Sequence, residues 1–173
     1  MDKKAIIIGA SMSGLLAARA LSDSFKEITI LDRDVLPETI SNRRGVPQGW
    51  HAHAILAGGS RELENQFPAI TQELIDSGAI LGDLANDGRW FLEGAALRRA
   101  PSSAKAILAS RPLLEGTIRD RVRKMSGITI RDGCSVDDLV YSDGRVTGVG
   151  LKEGETLNAD LVVDASRGGA HRS

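Results

Sequence analysis

The sequence of 173 residues predicts an α/β fold in which helices cover a parallel sheet. A short apolar run at residues 4–8 meets a turn of small residues, and the turn opens an alanine-rich helix. A second apolar run, at residues 28–31, ends in Asp32, and a third, at residues 161–164, also ends in a carboxylate. Runs of this length are typical of buried strands, and a helix between two of them favours parallel pairing.

The turn after the first strand reads Gly9-Ala-Ser11-Met12-Ser13-Gly14, a variant of the G-x-G-x-x-G pattern. Gly9 lets the chain turn off the strand, and Gly14 lets the helix pack closely on the sheet. Ser11 takes the place of the second glycine, where the backbone approaches a pyrophosphate, and its hydroxyl can donate to a phosphate. The N–H groups at the helix start, at Met12 and Ser13, are expected to face that phosphate.

The second strand ends in Asp32-Arg33. Asp32 follows Gly14 at close to the spacing of about 20 residues at which a carboxylate accepts hydrogen bonds from ribose hydroxyls. The pattern as a whole predicts a dinucleotide-binding βαβ unit, and we include Arg33 in its site.

The composition is that of an ordinary globular domain, with 42% hydrophobic residues, 26% charged residues and a formal net charge of −1. No long-range field recruits nucleic acid or anionic lipid. The single cysteine, Cys134, excludes a disulfide framework and a cysteine-based zinc site. The apolar run at residues 5–8 is too short for a signal peptide or a membrane span, so we expect a cytoplasmic protein with one domain.

The middle of the chain has weaker patterns. We predict a polar loop at residues 34–53, helices at 52–66 and 71–78, and strands at 90–92 and 106–108 inside an insertion over about 79–109. Trp90 and Phe91 can face a substrate, but core packing is the simpler interpretation. His51 and His53 can be metal ligands, yet no third ligand lies at a suitable spacing, so we predict no metal site.

The last third has clearer periodicity. From residue 112 we predict an amphipathic helix with Leu114, Ile118, Val122 and Met125 on one face. We place Arg119, Arg121, Arg123 and Lys124 on its solvated face. A strand at 128–131, a hairpin over 136–151 with its turn at 142–145, and the strand at 161–164 follow.

Five segments carry a family resemblance: the turn at 9–14, Leu31-Asp-Arg33, Arg43-Arg-Gly-Val-Pro-Gln-Gly-Trp-His-Ala-His53, Ser110-Arg-Pro-Leu-Leu-Glu115 and Leu161-Val-Val-Asp-Ala-Ser166. Together they resemble the FAD-binding half of the class A flavoprotein monooxygenase and geranylgeranyl-reductase-like superfamily. The resemblance covers nearly the whole chain. It implies a glutathione-reductase-type Rossmann-like FAD-binding fold with a parallel sheet and a β-meander, over residues 1–173.

The resemblance also implies roles for three further residues. Arg44 would approach the flavin diphosphate and Arg111 would also reach the cofactor, because a guanidinium binds a diphosphate in a bidentate manner. Asp164 matches the aspartate of the superfamily's Asp-Gly signature, near the pyrophosphate and the path of the nicotinamide cofactor. The sequence after Asp164 departs from that signature. The superfamily's second half has no counterpart in the sequence, so we expect a fold truncated before that half, with exposed apolar surface that favours self-association.

The function that these patterns favour is a flavin-dependent oxidoreductase of the monooxygenase or reductase type. FAD is its expected cofactor, NAD(P)H its reductant and a small organic molecule its substrate. No residue is predicted as a catalytic acid or base. Two alternatives stay open: a truncated nucleotide-binding module without turnover, and an NAD-dependent dehydrogenase. The predicted β-meander argues against the dehydrogenase, whose fold would have another βα unit there.

Overall fold

The computed structural model describes residues 3–39 and 52–166. Their contacts divide the chain into two compact units. The first unit comprises Met1–Pro47 and Glu115–Ser173, and the second unit comprises Gln48–Leu114. The second unit, Gln48–Leu114, begins before and ends after the insertion expected at about 79–109. The assignment of residues 1–173 to one FAD-binding domain stays a prediction.

The described residues form four helices and twelve strands. The strands are β1 (Lys4–Ile8), β2 (Glu27–Leu31), β3 (Ala52–Leu56), β4 (Ile80–Asp83), β5 (Phe91–Leu92), β6 (Ala95–Ala96), β7 (Lys105–Ser110), β8 (Ile128–Arg131), β9 (Val136–Ser142), β10 (Arg145–Leu151), β11 (Thr156–Asn158) and β12 (Leu161–Asp164). The helices are α1 (Met12–Leu21), α2 (Ala57–Gln66), α3 (Ile70–Asp76) and α4 (Arg111–Arg123).

A parallel sheet with the strand order β12-β1-β2-β8 forms the centre of the first unit. Ile8 at the end of β1 pairs with Leu31 on one side and with Asp164 on the other, so three strand ends meet at one edge. Ile7 is fully buried and lies beside Gly14 of α1, so this face of β1 packs on the helix. Alternation along the strand turns Ile6 and Ile8 to the opposite face.

The antiparallel sheet β9-β10-β11 covers that opposite face. Its buried residues Val149 and Leu151 form one core cluster with Ile6, Ile8 and Leu31. The predicted hairpin turn is present, and its central residues, Asp143 and Gly144, both have positive φ, as a two-residue turn requires. The prediction of an α/β fold with a parallel sheet and a β-meander is confirmed.

The second unit contains the antiparallel sheet β3-β7-β4, the helices α2 and α3, and the small hairpin β5-β6. The predicted helix at 52–66 is wrong in its first third: residues 52–56 are the strand β3, and the helix begins only at Ala57. The physical reason is long-range pairing, because β3 bonds along its whole length to β7, about 50 residues later. The predicted strand at 106–108 lies inside β7, while the one at 90–92 is reduced to β5.

Candidate functional site

The turn between β1 and α1 is tightly folded. Gly9 has φ of 101°, a value that L-residues with side chains rarely adopt, and its N–H donates to the Leu31 carbonyl at 2.7 Å. A Cβ at Gly9 would lie 3.0 Å from the Ala165 carbonyl oxygen, and one at Gly14 would lie 1.8 Å from the Gly9 carbonyl oxygen. Gly9 is therefore required by conformation and by space, and Gly14 by space, as the motif predicts.

The first turn of α1 contains no acidic side chain of its own. Ser11 is its N-cap, with extended backbone, and its side chain makes no capping hydrogen bond within the described chain. Ser13, in the same turn, is exposed. Because the first N–H groups and the helix dipole favour negative charge, this end of α1 suits a phosphate.

Asp32 lies next to that helix end. Its side chain is buried, with 8% of the residue exposed. Oδ2 accepts the N–H of Ala10 at 2.7 Å, and Oδ1 accepts the N–H of Asp34 at 2.9 Å. The carboxylate thus fixes the position of the turn that faces the helix N-terminus. Each oxygen can accept more than one donor, so these amide bonds are compatible with ribose hydroxyls as further donors.

The end of β12 forms the other side of the turn. Ala165 donates its N–H to the Ile8 carbonyl at 2.9 Å, and Asp164 accepts the N–H of Ser166 at 2.9 Å. Asp164 is exposed at this edge. The buried Oγ of Ser166 has no hydrogen-bond partner among the described residues. A polar atom of this kind fits a site that a polar ligand completes.

The structure brings together Gly9, Ser11, Met12, Ser13, Gly14, Asp32 and Asp164 at one edge of the sheet. Arg33 follows Asp32 but its side chain is 74% exposed, near Asp34 at 4.0 Å. Arg44 and His51 lie outside the described residues. Arg111 is the first residue of α4 and belongs to the second unit.

The predicted exposure of one residue of α4 is wrong. Arg119, expected on a solvated helix face, is 3% exposed. Its Nη2 donates to the Pro37 carbonyl at 3.2 Å, and its Nη1 lies 3.8 Å from Oε1 of the equally buried Glu115. The only signal in the sequence is the i, i+4 spacing of two opposite charges, which is also common on exposed helices.

The second unit contains a different buried carboxylate, Asp83, at the end of β4. It accepts the N–H and the hydroxyl of Ser102, at 2.7 and 2.6 Å, and Lys105 Nζ at 3.0 Å. The N–H groups of Ala85 and Asn86 also donate to it. These bonds, those of Ser102 foremost, hold the pKa of Asp83 far below its usual value. The arrangement ties a loop together and leaves the carboxylate few lone pairs for a ligand.

The remaining candidates give no site in the described ranges. Trp90 and Phe91 are 53% and 69% exposed, so the expected core packing is wrong. Trp90 instead donates its Nε1–H to the Leu84 carbonyl.

No group of three or more histidine, cysteine, aspartate or glutamate side chains in residues 3–39 and 52–166 could hold a metal ion. Within the same residues, every helix is too short or too polar to cross a bilayer.

Comparisons with known proteins bear on the fold and the family of this chain. The family model for tryptophan halogenase matches residues 111–172, which is less than half of the chain. Protein Rv3254 of Mycobacterium tuberculosis is 35% identical over 179 aligned positions, and the match covers 94% of this chain and 37% of that protein. The chain therefore spans little more than a third of the length of this relative.

Solved structures show the same fold. PqsL of Pseudomonas aeruginosa, described as a probable FAD-dependent monooxygenase, superposes with a TM-score of 0.69 at 15% identity, over 92% of this chain and 41% of PqsL. A variant of 2-methyl-3-hydroxypyridine-5-carboxylic acid oxygenase superposes with a TM-score of 0.66 at 16% identity, over 94% of this chain and 39% of the oxygenase. The fold of this chain is thus that of the FAD-binding Rossmann-like domains of flavin monooxygenases.

Proposed function

We propose that this chain binds FAD and holds its ADP half at the β1–α1 turn. The observation that carries the proposal is the meeting, at one sheet edge, of a helix whose first turn has no acidic residue, two glycines crowded by backbone atoms, and the buried Asp32. The turn suits a diphosphate and the carboxylate suits a ribose, which is the chemistry of a dinucleotide. The fold shared with flavin monooxygenases supports FAD as that dinucleotide.

Each residue has a proposed task. The N–H groups of residues 11–14 bind the diphosphate, which approaches the backbone at Ser11, while Gly9 allows the turn off β1 and Gly14 the close packing of α1 on the sheet. Asp32 accepts the ribose hydroxyls, with Arg33 beside it. Arg44 and Arg111 supply positive charge to the diphosphate, and Asp164 borders the pyrophosphate from β12. When bound, FAD supplies electron transfer through its isoalloxazine ring, while this chain anchors and orients the cofactor.

The proposed reaction class rests on the comparisons. The comparisons favour an oxidoreductase of the flavin monooxygenase type, and we extend this to NAD(P)H as reductant and a small organic molecule as substrate. Membership of the geranylgeranyl-reductase-like branch, a cytoplasmic location and self-association through exposed apolar surface belong to the same proposal. An NAD-dependent dehydrogenase is disfavoured by the β-meander at residues 136–158, which stands where such a fold would continue with βα units.

The absorption spectrum of the freshly purified chain tests the cofactor. We expect flavin bands that remain with the protein on gel filtration, and release of FAD on denaturation. After removal of the flavin, the apoprotein is titrated separately with FAD and NAD and should bind FAD more tightly. Tighter binding of NAD would favour the dehydrogenase, and binding of neither would refute the proposed function.

A further inference from the structure

The segment at residues 34–39 follows Asp32, and three of its long-range hydrogen bonds lie within the described part of the chain. Gly133 donates its N–H to the Asp34 carbonyl at 3.2 Å, and Leu36 donates its N–H to Asp132 Oδ2 at 2.7 Å. The third contact is the bond from Arg119 to the Pro37 carbonyl. The segment in turn donates the Asp34 N–H to the Asp32 carboxylate. A path of hydrogen bonds and short backbone therefore joins Arg119 to Asp32.

Arg119 is costly to bury, which makes its position informative. Its side chain and that of Glu115 are each 4% exposed. Burial of an ion pair commonly costs about as much as the attraction between its charges gains, so such a pair contributes little to stability compared with apolar residues of similar volume. Its guanidinium reaches a backbone carbonyl five residues after Asp32.

We propose that Arg119, oriented by Glu115, is a positioning residue that holds the Asp32 carboxylate in place for the ribose of the bound dinucleotide. Arg119 fixes Pro37, and thereby the segment whose Asp34 N–H bonds to Oδ1 of Asp32. The remaining oxygen, Oδ2, holds the Ala10 N–H of the diphosphate turn. This inference rests on the proposed function, because it assigns a role in the same site.

A double-mutant cycle on the full 173-residue chain tests the path. Arg119→Met removes the bond to Pro37, and we expect it to weaken FAD binding about fivefold, as measured by calorimetric titration. In the Asp32→Ala background the same substitution should change FAD affinity less than about twofold, because its route to the cofactor is gone. Arg119→Lys, which keeps a cation and a donor, should recover part of the affinity.

Two further variants separate positioning from loss of fold. Arg123→Met, on the same helix, removes an arginine whose pair with Asp120 is largely exposed, and it should leave FAD affinity unchanged. Glu115→Leu combined with Arg119→Met replaces the whole buried pair with apolar side chains, which urea unfolding should show to be as stable as the wild type. This double variant should still bind FAD about fivefold more weakly, and it serves as the test if Arg119→Met alone does not fold.

The outcomes distinguish the two proposals. Equal losses in the wild-type and Asp32→Ala backgrounds, or no loss in either, would overturn the positioning role while FAD binding itself stands. A wild-type chain that binds no FAD would remove the proposed function and this inference together.

Discussion

The two units each bury one aspartate at the end of a strand, and the two side chains have different surroundings. Asp83 accepts bonds from Ser102, Lys105 and two backbone amides of its own loop. Asp32 accepts the amides of Ala10 and Asp34, which border the N-terminus of α1. The difference teaches that burial alone does not distinguish a carboxylate that ties a loop together from one that lies beside a helix N-terminus. The proposal that Asp32 binds a ligand therefore rests on the identity of its hydrogen-bond partners.

The largest expected effect is on Asp32. Asp32→Ala should weaken FAD binding about tenfold to a hundredfold, since a hydrogen bond to a charged group contributes about 1.5–3 kcal/mol. Asp83→Ala is the matched control, because it removes a buried aspartate from the other unit, and it should leave FAD affinity unchanged. Fluorescence titration of both variants measures this. Equal losses would mean that either substitution merely damages the fold.

The next effect concerns the two arginines that the family resemblance assigns to the diphosphate. Arg44→Ala and Arg111→Ala should each weaken FAD about tenfold and adenosine far less, because only FAD offers the charge that a guanidinium binds. Titration with both ligands checks the ratio. Unchanged affinity for both ligands would return Arg44 and Arg111 to a role as ordinary surface charge.

A smaller effect concerns stability, and it compares glycines in the first turns of α1 and α2. Gly14→Ala should destabilise the chain by about 1–3 kcal/mol, because the new Cβ would overlap the Gly9 carbonyl. Gly58→Ala, in α2, meets nothing within 4 Å and should stabilise the chain by up to about 1 kcal/mol. Urea unfolding of both variants provides the comparison. A tolerated Gly14→Ala would contradict the close packing of α1 on β1.

The smallest effect is the contribution of Asp83 to acid stability. Its pKa is lowered in the folded chain, so the unfolded chain binds more protons and the free energy of unfolding falls as the pH drops below about 4. Asp83→Ala should make that fall shallower. Asp137→Ala, on an exposed position of β9, should leave the slope as it is. Urea unfolding at a series of pH values between about 2 and 6 measures the slope of the unfolding free energy against pH. Equal slopes in the wild type and both variants would contradict the role of the Asp83 network.

The parts of the fold that depend on local spacing were predictable from the sequence. Gly9, Gly14 and Asp32 follow a spacing set by one turn, one helix and one strand, and the hairpin turn at Asp143-Gly144 needs only its own two residues. The family resemblance added an expected place for Asp164 at the sheet edge, where the structure has it beside Ile8.

The parts that depend on distant partners were not predictable. Residues 52–56 form a strand because β7 pairs with them, and nothing within those five residues favours a strand over a helix. Arg119 is buried because Glu115 and the Pro37 carbonyl meet it. Helical periodicity places a charged residue of this kind in solvent. Whether the charge can be buried depends on a partner such as the Pro37 carbonyl, which is distant in the sequence.

The most direct test of the account is to map FAD onto the chain by amide NMR shifts during titration. The account predicts saturable shifts for the amides of Ala10, Ser11 and Asp34, which surround Asp32 and the start of α1. The amides of Ala85 and Asn86, which bind Asp83, should not move. Shifts confined to Ala85 and Asn86, or no saturable shifts around Asp32, would contradict the claim that the first unit holds the cofactor.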